Sequence, residues 1–161
     1  MIFRTATRQD LPAVLALLAQ GTAAPAGTGT ESGTGAGTGT GTGVAVTEAH
    51  ARAFAAIEVD PRNELLVLEE DGIVLGCLQL TYVPGLGQGG RDRALVETVR
   101  IRADRRGGGL GAELMERAVQ RARERGCGLM QLTSDKRRSA AHRFYERLGF
   151  ARSHEGFKLR L

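Results

Sequence analysis

The sequence predicts an α/β fold of the α+β type, with a mixed, mostly antiparallel sheet of about six or seven strands flanked by about four helices. Strand patterns joined by short turns cluster in the middle of the chain, and a strand–helix–strand pattern follows them. Leu, Val, Ile and Ala must build the core, because the chain has no Trp and only 4% aromatic residues.

The N-terminal part predicts a strand and two helices. Ile2 to Thr7 alternates apolar and polar residues, which is typical of a short strand. Asp10 is a good N-cap residue, and apolar residues follow it at helical spacing as far as residue 20. An Ala-rich segment from Val46 to Ile57 predicts the second helix.

Between these two helices, residues 21–43 are mostly Gly, Thr and Ala. A segment without large apolar side chains cannot offset the entropy lost on ordering. We therefore predict a flexible loop here. Residues 1–20 are too few for a separate domain, so we expect residues 1–161 to form a single domain with this Gly/Thr-rich insert.

The central strands follow from alternation and turn chemistry. Leu65 to Glu69 and Ile73 to Val83 are predicted to form a hairpin, because Asp71-Gly72 favours a tight turn. Ala94 to Arg102 predicts the next strand. Its alternation predicts one face with Leu95, Glu97, Val99 and Ile101, and the other with Val96, Thr98, Arg100 and Arg102.

The C-terminal part predicts two helices and two further strands. An amphipathic helix begins at Leu110 and ends at Gly126, and a buried strand covers Leu129 to Thr133. Ser139 is the predicted cap of the last helix, which Gly149 ends. Phe150 to Leu161 is predicted to be a terminal strand.

The strand that ends near Arg102 runs into a glycine-rich segment, Arg106-Gly107-Gly108-Gly109-Leu110-Gly111, and a helix follows at once. A helix N-terminus carries free N–H groups and partial positive charge, and glycines let phosphate oxygens approach them. Arg105 and Arg106 add positive charge. The segment predicts a pyrophosphate-binding loop.

This loop alone does not name the ligand. No Gly-Lys-Ser/Thr follows, which excludes a P-loop NTPase. Gly107, Gly109 and Ala112 also match the dinucleotide fingerprint, with Asp135 further along the chain. An NAD-type domain is therefore an alternative, although the motif comes too late in the chain for a full doubly wound sheet.

Three further segments resemble the GNAT superfamily of N-acetyltransferases. Phe3 to Pro12 resembles its first strand and helix, and Glu97 to Ile101 resembles its fourth strand. Arg106-x-x-Gly109-x-Gly111 matches its acetyl-CoA signature, and Ala141 to Phe150 resembles its last helix. The resemblance implies transfer of the acetyl group of acetyl-CoA to a primary amine.

The resemblance also implies a pose for acetyl-CoA. Its pantetheine arm would lie along the strand residues Val99, Arg100 and Ile101. Arg138 would contact its phosphates in place of the family's frequent Asn. The pyrophosphate would bind a set of loop and helix residues, namely Arg106, Gly107, Gly108, Gly109, Leu110, Gly111 and Ala112.

Two residues are candidates for proton transfer in direct attack of the amine on the thioester. Glu97 is the candidate base, acting through water, and Tyr145 is the candidate acid, because a phenol with a pKa of about 10 suits a departing thiolate. The backbone N–H of Ile101 or a neighbouring residue would bind the developing oxyanion.

Composition bounds the remaining properties. Two cysteines are too few for a disulfide framework or a zinc site, and no metal is expected. No apolar run is long enough for a membrane span, so we expect a cytoplasmic protein.

The expected partner is a small-molecule or peptide amine, with no nucleic acid, and the resemblance allows a homodimer. A non-catalytic acyl-CoA sensor, or a nucleic-acid-binding module suggested by the net charge of +4, are alternatives.

Overall fold

Strand pairing in the computed structural model, which describes residues 1–20 and 44–161, forms one five-stranded sheet in the order β1-β2-β3-β4-β5. Neighbouring strands are antiparallel except β4 and β5, which are parallel. The predicted loop at 21–43 lies outside the described residues. The strands are β1 (Ile2–Thr5), β2 (Asn63–Glu70), β3 (Ile73–Val83), β4 (Arg93–Ile101) and β5 (Leu129–Leu132).

Four main helices pack on the sheet, and each forms close to where the sequence predicts it. They are α1 (Leu11–Ala19), α2 (Glu48–Val59), α3 (Leu110–Glu124) and α4 (Ser139–Arg147). Short helical turns lie at Arg8–Asp10, Gly87–Gly90 and Ala103–Arg105. No helix in the described ranges combines the length and apolar composition needed to cross a bilayer.

The sheet buries both of its faces. On the face we call the α1 face, α1 and α2 cover a cluster that includes Leu65, Val67 and Cys77. On the opposite face, the α3 face, α3 covers a cluster of Leu residues from β2 and β3. Each strand contributes side chains to both clusters, because successive side chains along a strand point to opposite faces of the sheet.

Charged residues fix the start of α1 to the sheet. Arg4 Nη1 lies 2.7 Å from Asp10 Oδ2, and Arg4 Nε donates to Glu69 at 2.8 Å. Asp10 also accepts from the backbone N–H of Thr7 at 2.7 Å. Asp10 precedes α1 as predicted, but its carboxylate makes these bonds and no capping bond to α1. We call Arg4, Thr7, Asp10 and Glu69 the Arg4 cluster.

The predicted strand count is too high, because Phe150 to Leu161 forms no strand in the structure. Phe157 and Leu159 are 95% and 87% exposed. The alternation of this segment is strand-like, but a strand requires a neighbouring edge for its hydrogen bonds. The predicted Ser139 cap is also displaced by one residue, since Arg138 is the N-cap of α4 and Ser139 is its first residue.

The predicted faces of β4 are wrong beyond Glu97, and a β-bulge is the reason. Glu97 pairs with Gln79, but Arg100 pairs with Cys77, so β4 holds one more residue than β3 between these pairs. Thr98 has a φ of +54°, which is rare for a β-branched residue. The extra residue places Val99 on the α3 face with Ala94 and Val96, whereas Glu97 stays on the α1 face.

Candidate active site

One edge of β4 changes from paired to unpaired along its length. β4 and β5 pair from Arg93 with Leu129 to Val96 with Leu132, and β5 ends there. Among the residues that the structure describes, 97–101 pair only with β3. A free strand edge presents N–H and C=O groups to any ligand that lies along it. We call the space along this edge the β4 cleft.

Backbone alternation determines which groups face the cleft. The N–H of Arg102 donates to Leu75 O on β3 at 2.9 Å, so the N–H and C=O of Ile101 point the opposite way, towards the cleft. The side chain of Arg106 already uses one of these groups, because its Nε donates to Ile101 O at 3.1 Å. The N–H of Ile101 therefore faces the cleft as a donor.

The glycine loop supplies more unused donors. In the described ranges, no acceptor is bonded to the backbone N–H groups of Gly107, Gly108, Gly109, Leu110 and Gly111. Gly109 is the N-cap of α3 with a φ of +85°, a conformation that glycine adopts without strain. Ala112 N–H is already bonded to Gly109 O at 2.9 Å, so it is not available to a ligand as predicted.

The loop, β4 and α4 meet at one point. A Cβ added at Gly111 would lie 3.3 Å from the Phe144 ring and 3.8 Å from Ile101 Cγ1. A side chain at this position would press on the Phe144 ring, so glycine allows α4 to pack closely against the start of α3. The predicted phosphate loop and the predicted strand site are therefore adjacent, and Tyr145 follows Phe144 on the same helix.

Most of the basic residues near the glycine loop and before α4 already form ion pairs with acidic side chains. Arg105 pairs with Glu70 at 2.7 Å, and Arg102 pairs with Asp104 at 2.7 Å. In the run from Lys136 to Arg138, Lys136 pairs with Glu155 and Arg137 with Asp135. Arg138 has no ion pair within the described part of the chain.

Glu97 lies on the α1 face directly before the bulge, and its side chain is exposed. It makes no hydrogen bond or ion pair with any residue of the described ranges. A carboxylate in this state can accept a proton or a hydrogen bond without first breaking another contact. The structure thus leaves Glu97 available for the role predicted from the sequence.

Tyr145 packs on the α3 face, with its ring 5.1 Å from the ring of Phe144 and 5.9 Å from that of Phe150. Burial raises the pKa of its phenol, and the charges of Arg138 and Arg100 oppose that rise. The group is therefore protonated at neutral pH. His142, one turn earlier, has its Nε2 2.9 Å from Asp135 O.

Two buried polar atoms near the cleft have no partner among the described residues, Arg100 Nε and Ser134 Oγ. Arg100 is one of the predicted pantetheine-binding residues, and its Nη1 donates to Val99 O at 2.8 Å. Ser134 lies just beyond β5, and no sequence pattern singled it out. Buried polar groups normally have partners, so these two atoms are available to a ligand or to water.

Comparison with known proteins agrees with this geometry. Residues 38–150 match the sequence profile of the Acetyltransferase (GNAT) family. The chain belongs to the GNAT acetyltransferase family. It is therefore an acyltransferase that acetylates an amine, and the acetyl donor of the family is acetyl-CoA. This membership favours the acetyl-CoA interpretation of the glycine loop over the dinucleotide alternative.

Individual relatives show the same relationship. The aminoalkylphosphonate N-acetyltransferase of Salmonella typhimurium is 32% identical over 104 residues, which cover 65% of this chain and 67% of that protein. A transcriptional regulator from Bacillus halodurans C-125 has 36% identity, a TM-score of 0.83 and 99% coverage of both chains. A Trypanosoma brucei acetyltransferase has 25% identity, a TM-score of 0.72 and 99% coverage of both chains.

No group of three or more His, Cys, Asp or Glu side chains in the described ranges is arranged to hold a metal ion. The candidate site groups are backbone N–H groups, one carboxylate, one phenol and several arginines. Sequence patterns did not single out two further polar residues on the α1 face, Gln79 and Thr81. The sequence does contain a signal for them, because these two polar residues stand at alternate positions in the otherwise apolar strand β3.

Proposed function

We propose that this acetyltransferase binds acetyl-CoA in the β4 cleft and transfers its acetyl group directly to a primary amine that enters from the α1 face. The observation that supports this proposal is the convergence of unused donors at the end of β4. The free N–H groups of Gly107 to Gly111 belong to the loop that approaches Ile101 at Gly111, and the N–H of Ile101 faces the cleft.

The loop would bind the pyrophosphate. Its free N–H groups lie at the positive end of the α3 dipole, and Arg106 is held beside them by its bond to Ile101 O. Arg138, at the N-terminus of α4, would add a second cation for the phosphates. Val99, Arg100 and Ile101 would hold the pantetheine arm, with the free strand edge pairing with its amides.

The two candidate proton-transfer residues lie on opposite faces of the sheet at this edge. Glu97 on the α1 face would take a proton from the incoming ammonium, through water, so that the nitrogen lone pair can attack. As the C–N bond forms, the N–H of Ile101 would stabilise the negative charge on the carbonyl oxygen. Tyr145 would then donate its proton to the sulfur as the C–S bond breaks, and the second proton that leaves the nitrogen would restore the phenol, directly or through water.

The proposal is tested by an acceptor screen that follows the release of CoA thiol. Suitable acceptors are aminoalkylphosphonates, which the Salmonella relative's name suggests, together with alkyl diamines, amino sugars and peptides with a free N-terminus. We expect thiol release that depends on both acetyl-CoA and an amine. Stabilisation by acetyl-CoA in a thermal shift assay, with no thiol release from any acceptor, would instead identify a non-catalytic acyl-CoA sensor.

The same thermal shift assay distinguishes the ligands themselves. We expect acetyl-CoA and CoA to raise the melting temperature and NAD to leave it unchanged. A homodimer and a cytoplasmic location stay predictions from the sequence.

A further inference from the structure

A row of hydrogen-bonded polar residues crosses the α1 face between α2 and β4. Asn63 Nδ2 donates to Asp60 Oδ2 at 2.7 Å. Thr81 Oγ1 donates to Asn63 Oδ1 at 2.7 Å, and Gln79 Nε2 donates to the same oxygen at 3.3 Å. The catalytic roles proposed above use none of these four residues, and the row is separate from the Arg4 cluster on the same face.

The row has one consistent arrangement of donors and acceptors. The pKa of Asp60 is lowered because the Arg62 N–H and the Asn63 side chain donate to its carboxylate, so it stays ionised and can only accept. The amide nitrogen of Asn63 must therefore face Asp60, and its oxygen must face Thr81 and Gln79. Gln79 in turn must direct its nitrogen towards Asn63.

This arrangement leaves the carbonyl oxygen of Gln79 as an acceptor. Among the residues that the structure describes, nothing donates to Gln79 Oε1. Gln79 is the direct cross-strand partner of Glu97 on the α1 face. Side chains of such partners are neighbours, with Cβ atoms about 5 Å apart. The Glu97 carboxylate and an oriented amide oxygen therefore lie side by side at the opening of the β4 cleft.

We infer that Gln79 and Glu97 together bind the ammonium group of the acceptor, with Gln79 held in its orientation by Asn63. An ammonium has three N–H donors, and two adjacent acceptors without donors between them select for it over a neutral hydroxyl. This inference rests on the proposed function and adds that the enzyme takes its acceptor as the cation. Gln79 contributes to binding, and Asn63 is a positioning residue.

The test is the Gln79→Met variant, which keeps the length of the side chain and removes its polar atoms. We expect the KM of the best amine from the acceptor screen to rise roughly tenfold or more, because the bond to a charged group is lost. The KM of acetyl-CoA and the melting temperature should stay unchanged. Gln79→Glu keeps an acceptor oxygen but loses the bond to Asn63 Oδ1, so it should raise the KM for the amine less than Gln79→Met does.

Gln120→Met is the matched control, because Gln120 is exposed on α3 and its side chain bonds only to Glu124 among the residues that the structure describes. It should change neither KM. Asn63→Leu should raise the KM of the amine less than Gln79→Met does, since Gln79 keeps its oxygen but loses its orientation. An unchanged KM for the amine in Gln79→Met, or an equal rise in both KM values, would overturn the inference.

A second readout separates this inference from the proposed function. If no acceptor is acetylated by the wild type, the proposed function fails, and amine binding is measured as a thermal shift by ethylamine with CoA present. A shift in the wild type that is lost in Gln79→Met still supports the ammonium site. Equal shifts in both proteins, or no shift in either, overturn it.

Discussion

The Arg4 cluster and the β4 cleft both bring charged and polar groups together, but they differ in how many of these groups have partners. In the cluster, Arg4 donates to two carboxylates, and Asp10 accepts from Arg4 and Thr7. In the cleft, Glu97, the glycine-loop N–H groups and Arg100 Nε have no partner in the described ranges.

This difference distinguishes structural from functional polar groups. Groups that are fully bonded stabilise the fold, and groups that are held in place without partners are available to a ligand. We therefore expect cleft variants to lose activity at unchanged stability, and cluster variants to lose stability at unchanged kinetic constants.

Glu97→Gln should have the largest effect. The amide cannot take a proton from the attacking ammonium, so kcat should fall by about a thousandfold, within the range known for general bases. Because the Glu97 side chain is exposed and makes no hydrogen bond or ion pair with the described residues, urea unfolding should be unchanged. Steady-state kinetics and urea titrations measure the two effects.

Glu48→Gln is a matched control for Glu97→Gln, because Glu48 is also exposed and, in the described ranges, its side chain makes only an ion pair with Arg52. It should leave kcat unchanged. If Glu97→Gln retained the wild-type kcat at every pH, the assignment of Glu97 as the base would be wrong.

Tyr145→Phe should reduce kcat by about a hundredfold, since the leaving thiolate loses its proton donor. The ring contacts with Phe144 and Phe150 persist in this variant, so the fold should be as stable as the wild type. A lower kcat with the same KM for acetyl-CoA is the expected signature. A change in stability alone would instead mark Tyr145 as a core aromatic residue.

Local sequence patterns predicted most of the helices and strands that carry the Arg4 cluster and the β4 cleft. The β2–β3 hairpin and α3 were predicted almost to the residue, because turn chemistry and apolar spacing are short-range signals. The glycine loop was also readable, since its strand–loop–helix context is local. The packing of this loop against Phe144 could not be predicted, because it joins residues far apart in sequence.

The errors arose where long-range pairing decides the structure. The bulge at Thr98 depends on how β4 pairs with β3, which alternation within β4 cannot reveal. In the same way, the local sequence could not show that Lys136 forms an ion pair, because its partner, Glu155, lies far along the chain. The roles of Glu97 and Tyr145 came from the family resemblance, and the variants described above test them.

In the cluster, Asp10→Asn should cost about 2 kcal/mol at neutral pH. Hydrogen bonds from Arg4 are the main reason that the pKa of Asp10 is lowered to about 2, from 3.8 in the unfolded chain. A carboxylate with a lowered pKa in the folded state stabilises the fold above pH 4, and this contribution is lost as the pH falls towards 2. The difference between wild type and variant should therefore shrink over that range.

Urea titrations from pH 7 to pH 2 measure this dependence, and Asp92→Asn is the control, because Asp92 makes no ion pair within the described part of the chain. Kinetic constants at pH 7 should be unchanged in both variants. A gap between Asp10→Asn and the wild type that stayed constant with pH would contradict an ionised Asp10 as the source of the stability.

Tyr82→Phe should have the smallest effect, and it also serves as the same-substitution control for Tyr145. Tyr82 is only 1% exposed, and its hydroxyl donates to Glu64 Oε1 at 2.8 Å. Glu64 keeps its ion pair with Arg121 at 3.1 Å, and Arg125 stays over the ring at 4.0 Å, so the variant loses one hydrogen bond and little else. We expect a loss of about 1 kcal/mol in the free energy of unfolding, measured by urea titration, with kcat unchanged. A fall in kcat comparable to that of Tyr145→Phe would show that activity is sensitive to any buried phenol in this fold, and the distinction between bonded and unbonded polar groups would then fail.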